Sequence, residues 1–105
     1  MSQPARHPGE HLAELLASNK MSAAELARQI DVPTNRVTQI LHGARSVTGD
    51  TALRLGHYFG TSGELWLNLQ KAYELRVADG QVGATIRSLP RLRDRRKANS
   101  SKSAS

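Results

Sequence analysis

The 105-residue chain contains no cysteine. Disulfide staples and thiolate metal sites are excluded, and the absence fits a reducing cytosol. Aromatic residues are scarce: one Trp, two Tyr and one Phe. Little is available from which to line an enclosed substrate pocket. No apolar run approaches the roughly 18 residues that a membrane span needs. The opening MSQPARHPGEH lacks the apolar stretch of a secretory signal. Neither a Gly-rich phosphate loop nor a motif pairing a nucleophile with a base is present. These absences point to a cytoplasmic protein without membrane contact, enzymatic site or cofactor. Its length suits one small domain with a modest core.

Charge imbalance is missing from most of the chain. Residues 1–86 hold eight Lys/Arg and eight Asp/Glu, whereas residues 87–105 hold seven Lys/Arg and one Asp. The formal net charge of +6 therefore belongs to the C-terminal end. Bulk charge says nothing about what the body binds.

What is present is helical periodicity broken by turn signals. Residues 1–8 carry two prolines and no periodicity, and read as a flexible N-terminal arm. A helix over about Gly9–Asn19 places Leu12, Leu15 and Leu16 at helical spacing. Ser22 with Glu25 predicts a capping box opening a second helix to Ile30. Asp31-Val32-Pro33 forms the turn, since proline pushes the residue before it to extended conformations. A third helix runs about Thr34–His42, with Gly43 as C-cap. A fourth covers about Thr48–Phe59 and ends at Gly60. A fifth covers about Ser62–Ala78, with Trp66 and Tyr73 toward the core and a break at Asp79-Gly80. Leu67 and Leu75 fall off its inner face, and a helix apolar on more than one side has more than one packing partner. Residues 79–92 read as a short further helix or a segment that orders on binding. Residues 93–105 are too polar to fold and form a basic disordered tail. That tail is either a solvated extension or a source of salt-sensitive, non-specific DNA affinity. The helical body spans residues 9–78 and is all-α.

The stretch Met21–Gly43, MSAAELARQIDVPTNRVTQILHG, carries the chemistry. At about 100° per residue, Thr34, Asn35, Thr38, Gln39 and His42 share a sector of roughly 140° on the third helix. Val37, Ile40 and Leu41 fall opposite. A short turn between two helices, with an uncharged polar face on the second, is how a helix-turn-helix offers a reading surface to the major groove. Carboxamides pair with adenine bidentately, and the Thr methyl can meet the thymine methyl. Thr34, Asn35, Thr38 and Gln39 are the expected base readers. Arg36, Arg45 and Ser22 flank them as phosphate contacts, Ser22 through the free amides of its helix start.

Other groups are weaker. His7, His11, His42 and His57 raise the question of metal; His7 and His11 stand four apart but straddle Pro8-Gly9 at a flexible start, no carboxylate partner is obvious, and no metal is expected. Arg54 and Asp50 read as an i,i+4 surface pair.

Met21–Gly43 resembles the Cro/XRE-type helix-turn-helix of phage repressors. The opening HPGEHLAELL and the run RSVTGDTALRLGHYFGTSGELWLNLQKAYEL resemble the HigA family, antitoxins of type II toxin–antitoxin pairs. The resemblance covers about Pro8–Val77, and the stretch with TALRL and LWLNLQ is its specific part. It implies a five-helix lambda-repressor-like fold with a short C-terminal extension, and a homodimer on an inverted-repeat operator in its own promoter. It also implies neutralisation of a RelE-like mRNA-cleaving toxin (HigB). Thr34, Asn35, Thr38 and Gln39 stand at the family's usual base-reading sites. Asp31 departs from the glycine often found in the turn, and the chain from Gly80 onward matches no family pattern. Leu67, Leu75, Val82 and Ile86 are the candidates for the dimer interface. Two other functions fit the residues: a stand-alone regulator without a toxin, and a protein-interaction module with a vestigial DNA face.

Overall fold

His7 opens the first helix in an unusual way. In the computed structural model, which describes residues 6–93, its Nδ1 accepts the amide of Gly9 at 2.9 Å. Glu10 reaches back to the amide of His7, completing a capping box. Pro8 at the first helical position supplies a preset φ and lacks only an amide that would be orphaned there. Helix α1 therefore spans Pro8–Ser18. This corrects the reading of residues 1–8 as a loose arm: His7 and Pro8 are buried parts of the fold. Residues 1–5 of that arm lie outside the described residues.

Helix α2 (Ala23–Ile30) follows a turn in which Lys20 has φ 52°. The Ser22 hydroxyl caps the amide of Glu25 at 3.1 Å. The expected reciprocal leg differs, because the Glu25 carboxylate takes the Ser22 hydroxyl rather than its amide. Asp31 terminates α2 in left-handed conformation, φ 58° and ψ 54°, which a short polar side chain tolerates better than most. Helix α3 (Thr34–Leu41) and helix α4 (Gly49–Phe59) come next, and Gly60 ends α4 at φ 75°. Ser62 then caps the start of helix α5 (Gly63–Arg87) through the amide of Leu65.

The length of α5 overturns the expected break at Asp79-Gly80. The helix runs through both residues and stops only before Pro90. Asp79 and Arg87 bridge at 2.7 Å across Gly83, whose missing side chain leaves them room. The 79–92 segment is thus mostly a continuation of α5. The basic tail after Arg93 lies outside the described residues.

The core gathers Leu12 and Leu16 from α1, Leu26, Ala27 and Ile30 from α2, and Val37 and Ile40 from α3. Val47, Ala52, Leu55 and the fully buried Trp66 complete it. Trp66 Nε1 donates to the Thr61 hydroxyl at 3.2 Å, so its polar atom is partnered despite burial. Helix α4 packs on α5, α2 on α3, and the N-terminal end of α1 against α3. Five helices and no strand among the described residues make the domain all-α, as expected.

Candidate nucleic-acid interface

The polar face of α3 is exposed because its other face is fully spent. Val37 and Ile40 are 2% and 1% exposed, and Leu41 packs at the edge of the same cluster. Thr34, Asn35 and Gln39 stand in solvent, and Thr38 is half-buried. The Thr38 hydroxyl donates to the Asn35 carbonyl at 3.1 Å, so its proton is committed to the helix and its lone pairs remain to accept. His42 is exposed at the helix end. All four expected base readers therefore share one accessible surface.

The expected phosphate contacts divide. Ser22 spends its hydroxyl on Glu25, which leaves the amides of Ala23 and Ala24 at the helix start without an intrahelical acceptor. Arg36 and Arg45 line one concavity of about 440 Å³ beside α3, together with Ser46, Thr48, Asp50 and Thr51. Thr48 opens α4 without a side-chain cap, so free amides of that helix start also border the concavity. Arg36 is not free: its Nη1 lies 3.3 Å from Asp50 Oδ2.

Several residues outside α3, some of them passed over by sequence reasoning, hold this surface in place. Gln70, 6% exposed on α5, accepts the Val47 amide at 2.8 Å and donates to the Ser46 hydroxyl. It fixes the loop that carries Arg45. Arg54 pairs with Asp50 as expected, at 3.0 Å, and its Nη1 also takes the carbonyls of Ile30 at 2.8 Å and Asp31 at 3.3 Å. A cation on the last carbonyls of a helix suits its dipole. Gly9 lies so close to Ile40 that a Cβ there would meet the Ile40 carbonyl oxygen at 2.0 Å. His7 stacks edge-on to Tyr73 of α5 at 4.9 Å, and burial pushes its imidazole below the ordinary range, with Glu10 opposing. The invariably polar label of a histidine hid this role, whereas Gln70 shows itself only as the polar residue on the inner side of α5.

The dimer candidates separate into two places. Leu75, Val82 and Ile86 form an exposed stripe along the outer part of α5, 65%, 45% and 55% exposed. Leu67 instead borders a concavity of about 340 Å³ with Leu53 of α4 and the start of α5.

The helix-turn-helix family model matches residues 12–66. The chain is 46% identical over 77 residues to virulence-associated protein I of Dichelobacter nodosus, covering 72% of this chain and 71% of that protein. Among solved structures, an addiction module antidote protein of a HigA family from Coxiella burnetii superposes with a TM-score of 0.80 at 52% identity, covering 85% of this chain and 99% of that one. Pseudomonas aeruginosa antitoxin HigA, solved with the higBA promoter, also superposes with a TM-score of 0.80, at 39% identity, covering 86% and 99%.

Proposed function

The chain belongs to the HigA family of helix-turn-helix proteins, and from that premise we propose that it is a sequence-specific DNA-binding antitoxin of the cytoplasm. In this reading α3 enters the major groove and Thr34, Asn35, Thr38 and Gln39 read base edges. Arg36, Arg45 and the amides behind Ser22 hold phosphates. The observation that carries it is the accessible, uncharged hydroxyl and carboxamide face of α3, anchored from behind by Val37 and Ile40. A surface meant only to be solvated has no need of that composition. The promoter complex of the Pseudomonas relative supports the same use of the fold.

One eight-residue helix with four reading side chains gives limited affinity. Two copies reading half-sites one helical turn apart, on an inverted repeat, multiply it. The apolar stripe of Leu75, Val82 and Ile86 offers a surface for such a homodimer, with Leu67 a separate candidate near the start of α5. As an antitoxin of this family the protein would repress its own operon and neutralise a RelE/HigB-like mRNA-cleaving toxin.

Binding of a cognate promoter fragment by Asn35→Ala and Gln39→Ala tests the DNA reading. Each variant loses roughly 1–3 kcal/mol and relaxes preference at one base position. If both bind the fragment as the parent does, α3 is not the reading helix. Co-purification with the product of a neighbouring RelE-like reading frame tests the antitoxin reading. Cognate binding without such a complex leaves a regulator that works alone, and neither result leaves a protein-interaction module.

A further inference from the structure

Among the described residues, Asp50 is the one acidic side chain lining the concavity beside α3, which otherwise offers two guanidinium groups, hydroxyls and the uncapped start of an 11-residue helix. Its Oδ2 receives both Arg36 Nη1 at 3.3 Å and Arg54 Nε at 3.0 Å. The two arginines are not equivalent. Arg54 has further acceptors in the carbonyls of Ile30 and Asp31 and stays on the protein without Asp50. Arg36 makes no other side-chain hydrogen bond among the described residues. Asp50 itself is settled where it stands, since a carboxylate in the first turn of a helix is favoured by the helix dipole.

We propose that Asp50 occupies the place of a DNA backbone phosphate on Arg36 and thereby limits the sequence-independent grip of the domain. The proposal rests on the reading of α3 as the base-reading helix and adds a residue that sets the ratio of specific to non-specific binding. A phosphate approaching the concavity must draw Arg36 off Asp50 and settle beside the carboxylate it displaces. Both steps subtract from affinity for any duplex. Base contacts by Asn35 and Gln39 are untouched, so their share of the total rises. With a neutral side chain at position 50, Arg36 is released toward the duplex and one more phosphate is neutralised.

The test is fluorescence anisotropy of a cognate promoter fragment and a scrambled duplex of equal length, across a salt series. The proteins are the parent chain, Asp50→Asn, Arg36→Gln and the double variant. Asp50→Asn should tighten the scrambled duplex by about three- to ten-fold. It should also steepen the dependence of log affinity on log salt by about 0.9, one phosphate's worth. The cognate-to-scrambled ratio falls. In the Arg36→Gln background most of the Asp50→Asn gain disappears. An unchanged affinity and slope overturns the proposal, as does an equal gain with and without Arg36, which would mark a bulk-charge effect. Arg54→Met, followed by thermal melting, guards against a purely structural cause. It should lower the melting temperature and leave the salt slope alone; if it reproduces the tighter binding, Asp50 acts through Arg54 and the proposal fails. Failure of the underlying reading shows separately, in a parent protein that does not prefer the cognate duplex.

Discussion

Replacing Gly9 with alanine sets helix propensity against tertiary packing, and the structure decides the sign. Alanine is the better helix former by up to about 1 kcal/mol, less near a helix end. Propensity alone therefore predicts a small gain. At Gly9, however, the new Cβ would lie 2.0 Å from the Ile40 carbonyl oxygen, 2.9 Å from its carbon and 3.1 Å from His7 Nδ1. Ordinary contact begins near 3.4 Å, so α1 must retreat from α3 by more than an ångström at backbone atoms that have no rotamer to change. Overpacking of this kind costs about 1–3 kcal/mol. The net expectation is a loss of about 2 kcal/mol, which in a domain of this size lowers the melting temperature by roughly 8–15 °C. Gly80→Ala is the matched control. It lies inside α5 with nothing within 4 Å of its added Cβ, so it should gain about 0.5–1 kcal/mol. Urea unfolding monitored by Trp66 fluorescence, with thermal melting, measures both. Equal stability of Gly9→Ala and the parent, or a gain from it, would refute the close approach of α1 to α3.

Three further outcomes follow from the same contacts. Burial holds the His7 imidazole below its ordinary value of 6.5, so the folded chain disfavours its proton more than the unfolded chain does. The stability this contributes is complete above that ordinary value and is lost as pH falls toward the lower folded value; His7→Asn, which keeps a capping acceptor, should flatten that part of a urea-midpoint profile. Gln70→Leu strips the buried Val47 amide of its acceptor and should cost about 1–3 kcal/mol in the same assay. On the proposed homodimer, Ile86→Glu places charge in the exposed stripe of α5 and should shift sedimentation toward the monomer, whereas an unaltered dimer would move the interface elsewhere.

Much of the fold was legible because its signals are local. Asp31-Val32-Pro33, Gly60 and Ser62 each act through neighbours within four residues, and each marks the helix boundary it announces. The amphipathic split of α3 follows from spacing alone. What escaped depends on distant partners. Asp79-Gly80 looks like a stop until Arg87 is found bridging back over Gly83. His7 belongs to no usual class of capping residue, and only the fold shows its ring enclosed by α1, Tyr73 and the Gly43 loop. Asp50 and Arg54 were legible as a pair, but the additional hold of each, on Arg36 and on the end of α2, spans 14 to 24 positions.

These long-range contacts explain how an eight-residue helix is held ready for the reading role proposed for it. Alone it would be too short to persist in water. Gly9 meets its last turn at Ile40, Arg54 fixes the carbonyls just before the turn that precedes it, and Gln70 holds the loop that follows. Each tie comes from a different helix and engages backbone, leaving the side chains of Thr34, Asn35 and Gln39 unencumbered. The surface is therefore ordered before a duplex arrives, and little conformational entropy remains to be lost on docking. Stability and discrimination must then fall together when Gly9, Arg54 or Gln70 is altered. On the proposed reading they separate at Asn35 and Gln39, where recognition should be lost at unchanged stability because both side chains stand in solvent.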